Sequence, residues 1–411
     1  MKPTRWRLEA ALAVIAVVIV AAAVPLYFAF IPNHVHTDPA AIPSTAADGI
    51  ALQQFAPLDE GRHLARTLLV QNNLPGLSVA VAVDGTIVWA EAFGYADADN
   101  TPLTPLTRFR LGALSKPLTA MAAGLLHDRG QLDLDAPVQR YVPAYPNKRW
   151  TITTRQLMGD VGGVHRIRGD NNDAMPVEHC ESLDEAVGML AGEPLLFEPG
   201  TEHRYSIWGW VLVSAAVEGA AGEPFGRFMM RQVFEPLSLD RTSVVETEGL
   251  DGVASYNIGS VLHAKLGVKK ASLRPDYSCL AGAGAFLSTP MDLVRLGSAM
   301  MKPGLLKAET IAALETPTRL VSGAPTTYAL GWTLGTGQLA GKPARMVSHR
   351  GSPRGGTLSL LTFPDLGLAV AAATNVSSAA GVNPFALQIA DLFTRHRDRL
   401  ALPQRMDTKA R

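Results

Sequence analysis

The hydrophobic pattern divides the chain into an apolar start, a polar stretch dotted with prolines, and a long patterned remainder. The run from Ala10 to Ile31 holds 22 residues without a charge. As a helix rising roughly 1.5 Å per residue it would span about 33 Å, enough for the hydrocarbon core of a bilayer. Lys2, Arg5 and Arg7 precede it, and the next Lys or Arg is Arg62. The positive-inside rule therefore keeps residues 1–9 in the cytoplasm and exports the C-terminal remainder to the periplasmic or extracellular side of the inner membrane. A cleaved signal peptide is the rival, since Ala21-Ala22-Ala23 offers small residues for cleavage. Because the apolar run continues through Val24 to Phe30, longer than an ordinary signal core, a single-pass anchor over 10–31 is the expectation. Residues 32–58, with Pro32, Pro39, Pro43 and Pro57, read as a linker in which His34 and His36 are solvated.

From Asp59 to about residue 400 the pattern is globular. Leu77 to Val83, the Asp84-Gly85 turn and Ile87-Val88-Trp89 predict a hairpin. Leu358 to Phe363, the turn Pro364-Asp365-Leu366-Gly367 and Leu368 to Ala373 predict a second β unit, followed by an amphipathic helix over Pro384 to Arg397. Between them, Pro117 to Arg129, stopped by Gly130, Trp208 to Glu218 and Met291 to Met301 read as helices. Strands at both ends and helices between them predict an α+β fold. Its antiparallel sheet is closed by both termini, with a mostly helical second lobe. Residues 401–411 read as a polar, frayed tail.

Charge narrows the function. With 37 Lys+Arg against 37 Asp+Glu the formal net charge is zero, which argues against nucleic acid as a partner. Two cysteines, Cys180 and Cys279, exclude a disulfide scaffold and a four-cysteine zinc site; the sequence leaves open one bridge or two buried thiols. His179 beside Cys180 has no further metal ligands evident.

The chemistry concentrates in four stretches. Phe109-Arg110-Leu111-Gly112-Ala113-Leu114-Ser115-Lys116-Pro117-Leu118-Thr119-Ala120 is the first. The second is Glu198-Pro199-Gly200-Thr201 with Tyr205-Ser206-Ile207-Trp208, and the third is Val347-Ser348-His349-Arg350-Gly351-Ser352. The fourth is Leu157-Met158-Gly159-Asp160-Val161-Gly162-Gly163-Val164. Together they resemble the serine β-lactamase and penicillin-binding protein superfamily, closest to class C β-lactamases and their esterase, D,D-peptidase and mitochondrial serine β-lactamase-like relatives. The resemblance extends from about residue 64 to 395. In that family a serine nucleophile stands three residues before a lysine, so that both lie on one helix face. It implies that position 113 is the nucleophile position, that Lys116 and Tyr205 act as general base, and that His349 and Gly351 lie on the substrate side. The N–H groups of Ala113 and Ser352 would form the oxyanion hole, and the implied ligand is a small molecule or peptide with a carbonyl group. No metal or organic cofactor is implied.

This chain departs from the family at the decisive position, because Ala113 has no oxygen to acylate. Ser115 is next to Lys116, about 100° away around a helix, and reads as a packing serine. Ile207 replaces an asparagine that contacts substrate in the lactamases, and Asp160 stands where the family often has histidine. Asp160 reads as a surface or loop-capping residue, and His165, Arg166 and Arg168 as solvated loop charges. Three readings are open: a serine hydrolase in which Ala113 is an introduced replacement of the nucleophile, a natural pseudoenzyme that binds a peptide, peptidoglycan fragment or lipid, and an assembly module with a vestigial cleft. All three predict negligible acyl-enzyme chemistry for the chain as it stands.

Overall fold

The structure is a computed structural model that describes residues 35–50, 57–97, 99–165, 179–244, 256–257, 269–270 and 276–400. Along the chain, β1 (Ser44–Ala46) and helix α1 (Pro57–Gln71) precede the hairpin β2 (Gly76–Val83) and β3 (Thr86–Gly94). A short β4 (Phe109–Arg110) leads into α2 (Ser115–Asp128). The second lobe adds α3 (Thr154–Met158), α4 (Leu183–Ala191), α5 (Ile207–Ala221) and the short β5 (Ser243–Val244), β6 (Tyr256–Asn257), β7 (Lys269–Lys270) and β8 (Phe286–Ser288). The chain returns through α6 (Pro290–Ala299), β9 (Thr333–Leu339), β10 (Lys342–Gly351), β11 (Thr357–Phe363), β12 (Leu368–Thr374) and α7 (Val382–Arg395).

Seven strands form one antiparallel sheet in the order β1-β3-β2-β12-β11-β10-β9. The strands from the two ends of the domain meet at β2 and β12, with Val81 opposite Val370. Asp84 and Gly85 both take positive φ, 51° and 87°, as a two-residue hairpin turn requires. The period of two then sorts the faces by size. Leu77, Val79, Val81 and Val83 with Leu368 and Val370 pack among the α1 and α7 side chains, while Ala80, Ala82, Ala369, Ala371 and Ala373 face the other way. Alanines on that second face let α6 lie close to the sheet. A Cβ on its Gly297 would stand 2.7 Å from Thr362 Cγ2.

The second lobe is built around α2 and α5. Both are buried over most of their length, and α5 is apolar all round, as a helix enclosed by neighbours must be. Helix α2 begins at Ser115, two residues earlier than the proline suggests, and stops before Gly130, whose φ is 70°. The turn Ser278–Ala283 lies flat on α2, and a Cβ on Gly282 would meet Thr119 Oγ1 at 2.2 Å. Cys180 and Cys279 form a disulfide that joins this turn to the entry of α4.

Within the stretch read as a linker, residues 35–50 lie against the sheet. Strand β1 pairs with β3 (Thr45 opposite Ala92), Ile42 is buried, and His36 Nε2 donates to Pro75 O at 2.9 Å while its ring stacks on Tyr95. His36 is thus a docked side chain and not a solvated one. Prolines mark where this segment bends; they do not keep it off the domain. Residues 10–31 and His34 lie outside the described residues. Among the described residues no helix is long and apolar enough to cross a membrane.

Candidate active site

A cavity of about 1000 Å³ opens between the sheet and the helical lobe. Three backbone features build it. The short turn Gly112–Leu114 presents Ala113 just before α2 starts, and Gly112 takes φ 52° against Pro353. Strand β10 ends at Gly351, packed so closely on this turn that a Cβ would stand 2.0 Å from Leu111 O. The segment leading into α5, fixed by Ser206 capping the N–H of Gly209, supplies Tyr205 and Ile207. Ala113, Tyr205, Ile207, His349, Gly351 and Ser352 all line the cavity, and Lys116 lies buried beside it.

Lys116 sets the electrostatics. Its ammonium is wholly buried, with Nζ 3.3 Å from Ser206 O, 3.7 Å from Asp160 Oδ2 and 3.6 Å above the centre of the Tyr205 ring. The carbonyl, the carboxylate and the aromatic face all favour a positive charge there. Tyr205 therefore meets Lys116 through its ring face.

His349 is held neutral. Burial, aided by the charge on Lys116, pushes its pKa down to about 3. A carbonyl can only accept, so Nδ1–H donates to Arg350 O at 2.8 Å, and Nε2 accepts the Tyr328 hydroxyl at 3.2 Å. In the cavity wall His349 is a hydrogen-bonding group and not a cation. Burial likewise pushes the Tyr328 phenol well above its ordinary value.

Asp160 is not a surface residue. It is 2% exposed and lines the cavity. Its φ of 55° is left-handed, a conformation in which aspartate is among the more tolerant side chains. Its carbonyl accepts from Arg204 N–H at 2.8 Å and its Oδ1 from Ser206 N–H at 3.3 Å. Burial pushes its pKa up to about 6, opposed by the Lys116 charge. His165 is also buried, contrary to its reading as a solvated charge, while Arg166 and Arg168 lie outside the described residues. The sequence marked the loop that carries Asp160 but offered no means of seeing which way its side chain turns. Tyr328 carried no signal at all.

Ser115 behaves as a packing residue. It is wholly buried, and its Oγ accepts from Phe286 N–H at 3.3 Å, toward β8. Ile207 packs against the cluster of Tyr277, Leu280 and Ala285, so this wall of the cavity is apolar. His179 Nδ1 pairs with Asp276 at 2.7 Å. Among the described residues no three His, Cys, Asp or Glu side chains converge as a metal site.

The beta-lactamase family model matches residues 61–391. The mitochondrial serine beta-lactamase-like protein LACTB of Mus musculus is 27% identical over 469 aligned residues, spanning 86% of this chain and 83% of its own length. A penicillin-binding protein of Bacillus subtilis is 28% identical over 303 residues, 70% of this chain and 65% of its own. Among solved structures, a D-amino acid amidase from Ochrobactrum anthropi superposes with a TM-score of 0.70 at 20% identity, over 83% of this chain and 99% of that one. The octameric penicillin-binding protein homologue from Pyrococcus abyssi gives 0.67 at 22% identity, over 82% and 77%. At these identities the two structures establish the fold.

Proposed function

We propose a function that proceeds from one premise: the chain belongs to the beta-lactamase family. It is a serine-hydrolase scaffold whose cavity receives a ligand with an acyl carbonyl, and in which Ala113 occupies the place of acyl attachment. The observation that carries this reading is that Ala113 shares the cavity with Tyr205, His349 and Ser352, with Lys116 buried beside them. In a chain with serine at 113, the hydroxyl would attack the carbonyl and its proton would pass to the Lys116–Tyr205 pair. The N–H groups of residues 113 and 352 would hold the oxyanion, and water would then release the acyl group. A methyl group cannot perform the first step. Losing the nucleophile from such a coupled set typically costs on the order of 10⁶ in rate, so the chain as written forms no acyl-enzyme.

Similarity to a penicillin-binding protein and to a beta-lactamase-like protein supports an amide or ester carbonyl as the ligand class. The disulfide supports an oxidising compartment, and with the apolar run of residues 10–31 it fits an exported domain held by a single membrane anchor.

The test compares the full chain with its Ala113→Ser form, each incubated to completion at pH 9 with a fluorophosphonate and a fluorescent penicillin and read by intact mass. An adduct on Ala113→Ser alone is the expected result. An adduct on the unsubstituted chain places the nucleophile elsewhere and overturns the reading. So does an Ala113→Ser form that stays unlabelled by both probes.

A further inference from the structure

Lys116 can serve as the proton acceptor for a hydroxyl at 113 only when it presents a neutral amine. Full burial favours the neutral amine, and its polar neighbours oppose it. Nζ lies within 3.7 Å of the Asp160 carboxylate, 3.3 Å from the Ser206 carbonyl, and over the ring faces of Tyr205 at 3.6 Å and Trp210 at 5.7 Å. At an effective dielectric of about 20, a carboxylate at this distance favours the ammonium by on the order of a thousandfold in the protonation equilibrium. Among the described residues, Tyr205, His203, Tyr328 and His349 are titratable groups that also face this point. The two histidines are held toward their neutral forms, so neither competes with Lys116 for the role of cation.

Asp160 is also fastened in place. Its backbone sits in the left-handed region with N–H donating to Leu157 O at 3.1 Å. Its carbonyl and carboxylate both bond the Arg204–Ser206 segment that carries Tyr205. Strain of this kind in a non-glycine residue persists where surrounding structure insists on it.

We propose that Asp160 is a positioning residue that fixes Lys116 as an ammonium ion, so that the cavity is closed to acylation by two residues, Ala113 and Asp160. This rests on the reading of position 113 as the place of acyl attachment. Serine at 113 then regains a hydroxyl but not its proton acceptor. Phosphonylation by a fluorophosphonate, the probe's stand-in for acylation, forms the Oγ–P bond, breaks the P–F bond to release fluoride, and requires the hydroxyl proton to move to Lys116 Nζ.

Two measurements test this. The first is the labelling rate from pH 6 to 10 of Ala113→Ser and of Ala113→Ser with Asp160→Asn, in full-length protein with melting curves recorded for both. Removing the carboxylate is expected to raise the rate at pH 7 at least 100-fold and to move the rising limb of the profile about three pH units lower. Equal rates and coincident profiles overturn the proposal. The second keeps Ala113 and follows lysine side-chain ¹⁵N or ¹³Cε resonances with pH, with Lys116 identified by its loss in Lys116→Gln. Asp160→Asn is expected to lower the Lys116 midpoint by about three pH units, and an unmoved midpoint overturns the proposal. If neither serine form labels while the Lys116 midpoint moves, Asp160 holds Lys116 as stated and it is the reading of position 113 that fails.

Discussion

Replacing Gly351 with alanine tests the junction on which the cavity depends. Gly351 is the last residue of β10, paired with Leu358 of β11, and its Cα faces the turn that presents Ala113. An added Cβ would stand 2.0 Å from Leu111 O and 3.2 Å from both Leu111 C and Leu114 Cβ. Relief to ordinary contact at 3.4 Å requires the strand and the turn to part by about 1.4 Å, and neither side can yield cheaply. Leu111 and Leu114 are wholly buried, Leu111 N–H is bonded to Phe286 O at 2.9 Å, and β10 is flanked by β9 and β11. Forced overpacking of this kind costs about 1–3 kcal/mol, and the obstacle here is a backbone carbonyl, so about 3 kcal/mol is the expected loss. Urea denaturation measures it. In the Ala113→Ser background, a displacement of roughly 1 Å between position 113 and β10 is expected to slow fluorophosphonate labelling on the order of 10²-fold. The control is Gly335→Ala on exposed β9, where the added Cβ meets only the mobile end of Met346 at 3.2 Å and little stability is lost. If Gly351→Ala were as stable as Gly335→Ala and labelled at the parent rate, the close approach would not be holding the site.

Two further predictions concern stability. The Asp160 carboxyl has a folded pKa of about 6 against an ordinary value of 3.8. In that window the folded state binds more protons than the unfolded one, so this group makes stability fall as pH rises from about 4 to 6, by on the order of 3 kcal/mol in all. Subtracting the pH profile of Asp160→Asn from that of the native chain should isolate this fall, and a flat difference would refute it. The disulfide closes a loop of 99 residues, for which chain entropy gives a stabilisation of about 4.7 kcal/mol. Calorimetry with and without a phosphine reductant should show a fall of several degrees in Tm, and a change below about 1 °C would mean that the helical lobe holds its loops without the bridge.

Much of the framework is legible in the chain because it rests on short-range rules. The Asp84-Gly85 and Leu366-Gly367 turns, the alternation of large and small residues along β2 and β12, and the glycine after α2 each mark an element locally. Residues from all four motif stretches, Ala113, Asp160, Tyr205 and His349, line one cavity. The hidden features depend on direction in space. Asp160 looked like drift in a loop, since nothing in Met158-Gly159-Asp160-Val161 reveals that a left-handed backbone turns the carboxylate inward onto Lys116. The neutrality of His349 depends on burial and on the charge of Lys116, and its hydrogen-bond partner Tyr328 arrives from a segment with no pattern of its own. The docking of residues 35–50 was masked by their prolines, which read as linker although His36 and Ile42 are buried. These cases share a cause: burial of a polar group is decided by partners far away in sequence, and composition sees only the neighbours. The departures from the family pattern also fall together in space. Ala113, Asp160 and Ile207 line the same cavity, so on the proposed reading the absent oxygen, the carboxylate beside the lysine and the apolar wall would all meet one ligand. A site altered at its nucleophile alone would regain full activity with one oxygen; on the proposed reading this one would still acylate slowly at neutral pH while Asp160 holds Lys116.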